Sequence, residues 1–113
     1  MNLEPQLIIK LRSDLLKLIE ALPYAMPQKL PRMSGVYFVF DRDELVYIGK
    51  ALDLYKRWCS HRFKSEVSSG LFRLKWKQCD TSEFCSAEHE EAFFIVSLRP
   101  KFNELVRTRV FPC

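Results

Sequence analysis

The chain has 113 residues, a net charge of +4 and 48% apolar residues, including nine Phe, four Tyr and two Trp. That length suits one domain with enough apolar bulk for a core, and no run approaches the roughly 18 apolar residues of a membrane helix. No secretory pattern opens the sequence, and Cys59, Cys79, Cys85 and Cys113 form no CxxC pair, so free thiols in a cytoplasmic protein are expected.

Residues 5–22 predict an amphipathic helix, because Leu7, Ile8, Leu11, Leu15, Leu18, Ile19 and Leu22 recur at three- and four-residue spacing. Pro5 suits its first turn and Pro23 ends it. Pro23, Pro27 and Pro31 mark an irregular connector. "GVYFVF" (35–40), the polar "DRDE" (41–44) and "LVYIG" (45–49) predict a β-hairpin. Asp53 can N-cap a helix that carries Leu54, Trp58 and Phe63 inward. After the break "SSG" (68–70), "LFRLKWKQC" (71–79) alternates. Leu74, Trp76 and Gln78 face one way, and Arg73, Lys75 and Lys77 form a basic outer face. Ser86 can cap a last helix, 87–98, whose early Glu88, Glu90 and Glu91 suit the helix dipole. The order α-ββα-β-α predicts an α/β (α+β) domain, a small mixed three-stranded sheet flanked by helices. Residues 1–31 form an N-terminal extension with its connector, and residues 32–113 form the domain proper.

Residues 50–77 hold eight basic and two acidic residues, which suggests an anionic partner such as nucleic acid. A solvated basic face accounts for the same charge. On the first reading, Arg73 and Lys75 of the basic strand bind substrate. Gly49-Lys50 is not a nucleotide-binding P-loop, since Glu44 stands where its first glycine belongs and Ala51 where its Ser or Thr belongs. His61 and His89 read as surface or packing residues. Tyr37, Tyr47 and Arg57 follow one another at ten-residue intervals, and Glu91 precedes Asn103 by twelve. Together they offer what phosphodiester hydrolysis needs. A carboxylate can hold a divalent cation, an arginine can clamp a phosphate, and a phenol can orient or deprotonate water.

"GVY" (35–37), "YIG" (47–49) with "KALDLYKRW" behind it, and "EEAFFIVSLRPKFN" (90–103) resemble the motifs of the GIY-YIG nuclease superfamily, its excision-repair branch in particular, across residues 34–104. Val36 stands where the family's first motif has Ile. The resemblance implies metal-dependent DNA cleavage by a stand-alone GIY-YIG-like domain with an added N-terminal helix. The expected partner is DNA, the cofactor is one divalent ion, Mg2+ or Mn2+, and no membrane is involved. By the same resemblance Tyr47 is the leading general base, with Tyr37 supporting or sharing that role. Gly49 permits close approach of backbone and substrate, and Lys50 lies beside the metal site. Arg57 contacts phosphate, and Glu91, counted back from Asn103, is the metal ligand. Asn103 supports the site on the substrate side, and His61 takes a position where relatives carry Tyr or His, as a phosphate contact. Two other readings stay open: a non-catalytic nucleic-acid-binding module, and an interaction subunit that meets a protein partner or a second copy through the N-terminal helix.

Overall fold

Two runs rich in β-branched and aromatic residues, joined by a charged turn, form the hairpin at the centre of the fold. They are β1, Gly35–Asp41, and β2, Glu44–Ala51, in a computed structural model that describes residues 5–79 and 86–103. Arg42 takes a left-handed φ of 57°, which lets the two-residue turn follow the twist of the strands. A bulge at Val39/Phe40 inserts Val46 as an extra residue in β2. The third strand, β3 (Phe72–Gln78), pairs with the other edge of β1, so the order is β2-β1-β3 and every pairing is antiparallel. Tyr37 lies between Gly49 and Trp76, and Val39 between Tyr47 and Leu74.

Side chains alternate across β1 and feed two cores. Tyr37 and Val39 join Leu30, Val46, Leu54, Trp58, Val67 and Leu74 on one face. That face is covered by a 3-10 turn (Pro27–Lys29), α2 (Leu54–Cys59) and α3 (Lys64–Ser68). Val36 and Phe38 join Ile19, Ile48, Cys79, Phe94 and Leu98 on the other face. There α1 (Pro5–Glu20) and α4 (Ser86–Leu98) form the cover. Each fully buried Val, Leu, Ile or Phe adds about 1.5–3 kcal/mol of apolar transfer free energy.

The helices differ from expectation in instructive ways. Of the α1 stripe, Ile19 is buried and Leu15 and Leu22 pack against it, whereas Leu7, Leu11 and Leu18 stay 53%, 37% and 50% exposed. Asp53 caps α2 as expected, accepting from the Lys56 N–H at 3.0 Å. Phe63 does not belong to that helix. The chain breaks after Cys59, and Phe63 precedes α3, its N–H donating to His61 Nδ1 at 3.1 Å.

The largest departure concerns β3. Its predicted outer face is only partly open, because the end of α1 comes back across Lys75 while Arg73 stays exposed. Lys75 is 4% exposed, and its Nζ donates to the carbonyls of Glu20 (2.6 Å) and Ile19 (3.4 Å). It thus satisfies the orphan carbonyls at the negative end of α1. Lys77 Nζ meets Glu90 Oε1 at 2.6 Å. The free edge of β3 is shielded where the Ala25 N–H donates to the Leu74 carbonyl at 2.9 Å. Among the described residues no helix is long and apolar enough to cross a membrane.

Candidate active site

The site begins with the register of the hairpin. Tyr37 faces Gly49 directly, and Tyr47 lies on the same face two pairs away, with the two rings 6.3 Å apart. Tyr37 is fully buried, and its ring lies across the space above Gly49. A Cβ on Gly49 would sit 2.3 Å from the Tyr37 Cζ and hydroxyl oxygen. The glycine makes room for the tyrosine ring, a steric reason for a glycine here beside the expected close approach of backbone and substrate.

Around the Tyr37 hydroxyl the structure gathers α2 and the segment after it. His61 Nε2 lies 3.0 Å from the hydroxyl oxygen, and the Arg57 guanidinium acts electrostatically on the same phenol. Burial pushes the Tyr37 phenol well above its ordinary pKa, Tyr47 adds to the rise, and Arg57 offsets only part of it. Tyr37 therefore keeps its proton at neutral pH. Tyr47 is half-buried and meets His61 and Phe63 edge-on, with the Arg62 guanidinium 5.0 Å over its ring. His61 is 5% exposed and stacks on Trp58, with ring centroids 4.0 Å apart. Both ring nitrogens are engaged, Nε2 with Tyr37 and Nδ1 with the Phe63 backbone N–H.

The acidic side comes from α4, which presents two adjacent glutamates to different partners. Glu90 takes Lys77 Nζ on one oxygen and the Cys79 thiol on the other, at 3.1 Å. The Cys79 thiol is pushed up to about 12 by burial and by Glu90. Glu91 instead lies 3.9 Å from Lys50 Nζ, and Lys50 also pairs with Glu88 at 2.9 Å. Burial raises the Glu91 pKa and Glu88 adds to the rise, while Lys50 and Arg57 oppose it. Tyr37, Lys50, Arg57 and Glu91 thus interact electrostatically around one point.

The remaining candidates lie elsewhere. The Asn103 side chain, buried beside β2, accepts from the Ile48 N–H and donates to the Ile48 carbonyl, both at 2.8 Å. It replaces a missing neighbour strand and pins the chain after α4 to the edge of β2. Its amide spends one acceptor site and one donor on this backbone. Arg73 bonds the Tyr24 hydroxyl at 3.4 Å, and Lys75 is buried under α1. Neither joins the group around Tyr37. Glu88, Arg62 and Trp58 border the site and escaped sequence reasoning. Glu88 was signalled by its place one turn before Glu91, and Arg62 by its place beside His61.

A divalent cation fits this donor set in one form only. Among the described residues there is no group of three or more His, Cys, Asp and Glu able to hold a metal. A lone half-buried carboxylate suits a Mg2+-like ion that keeps its waters and borrows phosphate oxygens, and it does not suit zinc.

Comparison with known proteins bears on the family and the fold. Residues 33–100 match the family model described as the GIY-YIG catalytic domain. UvrABC system protein C of Fervidobacterium nodosum is 34% identical over 98 residues, 80% of this chain and 17% of that protein. Its counterpart in Anaplasma phagocytophilum is 37% identical over 86 residues, 70% of this chain and 14% of that protein. The chain therefore spans less than one fifth of the length of these relatives. The solved GIY-YIG N-terminal endonuclease domain of UvrC from Thermotoga maritima, a point mutant bound to its catalytic divalent cation, superposes with a TM-score of 0.53 at 22% identity. That match covers 67% of this chain and 89% of that one, and shows a shared fold. Since the family model covers most of the described chain and the fold agrees with it, this protein belongs to the GIY-YIG catalytic-domain family.

Proposed function

We propose that the chain is a metal-dependent endonuclease that hydrolyses phosphodiester bonds in DNA. The observation that carries the reading is the half-buried Glu91 carboxylate, flanked by Lys50 and Arg57 and sharing their field with the Tyr37 hydroxyl. Structural ion pairs also perturb pKa values, but here an acid, two bases and a phenol converge in a domain of a catalytic family. The Thermotoga domain, whose described state includes a catalytic divalent cation, supports the same reading.

Each residue has a task that its position supports. Arg57 can bind two oxygens of the scissile phosphate and offset the charge that builds in the transition state. Lys50 can share that charge or hold Glu91 in place. Tyr37 keeps its proton and donates a hydrogen bond, whereas the more accessible Tyr47 is placed to orient the attacking water, or to take its proton once its own phenol proton has been displaced. The reaction adds water across the P–O bond, so the site must take one proton from the nucleophile and deliver one to the leaving oxygen. A Mg2+ or Mn2+ ion on Glu91 would supply Lewis-acid polarisation of the phosphate.

The test is nicking of supercoiled plasmid with Mn2+ and with EDTA. Arg57→Ala should lower kcat by at least about 10²-fold, and Arg57→Lys should restore little, because lysine cannot form the bidentate contact. Cleavage that persists in Arg57→Ala rules out the assigned role of the arginine. Cleavage that persists in EDTA rules out the metal.

A further inference from the structure

His61 is the most constrained polar side chain near the site, and its bonding determines where its proton lies. The Phe63 backbone N–H reaches Nδ1 at 3.1 Å. A backbone N–H can only donate, so Nδ1 is the bare, accepting nitrogen of the ring. A neutral imidazole with a bare Nδ1 carries its hydrogen on Nε2, and Nε2 is the atom 3.0 Å from the Tyr37 hydroxyl oxygen. The ring cannot turn to exchange these roles. It stacks on Trp58 at 4.0 Å with 14° between the planes, and Tyr37 and Tyr47 pack edge-on at 5.3 and 5.7 Å.

We propose that His61 is a neutral, tautomer-locked positioning residue whose Nε2–H donates to the Tyr37 oxygen and thereby turns the Tyr37 hydroxyl proton toward the reacting phosphate. This rests on the nuclease reading for what the proton meets, but not for where it points. His61 thus holds one lone pair of Tyr37, and Arg57 on α2 acts on the same phenol electrostatically. The hydroxyl hydrogen is then left for a ligand, since among the described residues no acceptor takes it. The two tyrosines then differ: Tyr37 is fixed as a donor by His61, and Tyr47 only packs edge-on against the same ring.

The groups that face the imidazole keep it neutral. They are Tyr37 from β1, Tyr47 from β2, Arg57 from α2 and Arg62 beside it in the chain. No carboxylate is among them. Burial first, then Arg57 and Arg62, push the His61 pKa down to about 3. Protonating Nδ1 would also set its hydrogen against the Phe63 N–H. A histidine serving as a cationic phosphate contact or as a proton shuttle needs the opposite environment.

Nitrogen-15 NMR of the full chain, labelled at histidine, tests the assignment directly, with His61→Phe identifying the resonances. The expected result is a protonated Nε2 and a bare Nδ1 that do not change from about pH 5 to 8. An Nδ1–H form, or titration within that range, overturns the proposal. Single-turnover cleavage supplies the second readout. His61→Phe keeps the stack and loses the donor, so it should lower the cleavage rate about tenfold, the worth of one hydrogen bond, with DNA affinity within about twofold. An equal loss of DNA affinity would mark a phosphate contact and overturn it too. If wild type cleaves no DNA, the nuclease reading alone fails, and the tautomer is still decided by NMR.

Discussion

Gly49→Ala puts the steric basis of the site to a quantitative test. The added Cβ would lie 2.3 Å from Cζ and Oη of Tyr37 and 2.6 Å from Cε2. Ordinary contact begins at 3.4 Å, so ring and strand must separate by about 1 Å. Neither can move freely: Gly49 is paired in β2, and the Tyr37 ring is fully buried against Trp58 and His61. Overpacking of this kind costs about 1–3 kcal/mol, and losing the 3.0 Å bond to His61 adds about 1 kcal/mol. The expected destabilisation is about 2–4 kcal/mol by urea unfolding, a fall in Tm on the order of 10 °C. A displacement of that size should also cost about 10²-fold in cleavage rate. Gly70→Ala is the control. Its Cβ meets open space at φ +85°, so only backbone strain remains, about 1 kcal/mol. In a Tyr37→Leu background the Gly49→Ala penalty should fall below about 1 kcal/mol, because the ring is gone. A penalty unchanged by Tyr37→Leu, or a Gly49→Ala protein within about 0.5 kcal/mol of wild type, would refute the steric argument.

Three further outcomes follow from the same structure. Lys75→Ala should cost about 2–3 kcal/mol of stability by leaving the α1 carbonyls without their donor; its salt dependence of DNA binding should match wild type, whereas loss of a phosphate contact would reduce the slope by about 1. Peptide mapping after brief alkylation near neutral pH should show exposed Cys59 modified and Cys79 protected, since burial and Glu90 hold that thiol in its unreactive protonated form; equal labelling of the two contradicts this. The His61 pKa, lowered from 6.5 to about 3, makes the unfolded chain bind a proton that the folded chain refuses within that window. Stability is therefore lost as pH falls, by up to about 1.4 kcal/mol per pH unit from this group, and His61→Phe should flatten the slope between about pH 6 and 4.

Local chemistry was readable in the sequence where it was decided locally. The hairpin, the Asp53 cap and the inward Leu54 and Trp58 follow from alternation, turn residues and helical spacing. The separate duties of Glu90 and Glu91 were suggested by counting from Asn103, and in the fold they do face different partners. What escaped depends on residues distant in the chain. The alternation in β3 separates its two faces but does not say which is covered, and Lys75 is buried by carbonyls 55 and 56 positions away. The reason for Gly49 lies in the ring of Tyr37 on the neighbouring strand. Nothing in the sequence shows the Phe63 N–H closing back on the His61 ring. Asn103 likewise acts through the backbone of Ile48, which no side-chain pattern reveals.

The central claim is that Glu91 makes this fold a metal-dependent nuclease. Its test is cleavage of plain, nicked, flapped and branched DNA with Mn2+, comparing wild type with Glu91→Gln, which keeps the side chain's shape and removes the charge. Circular dichroism and urea unfolding should show Glu91→Gln folded and at least as stable as wild type at neutral pH. The reason is that burial raises the Glu91 pKa, so ionisation above the unfolded pKa works against folding. Wild type should cleave at least one substrate in a metal-dependent way, and Glu91→Gln should cleave none detectably. Equal cleavage by the two proteins, or none by a folded, metal-supplied wild type on any of these substrates, would contradict it.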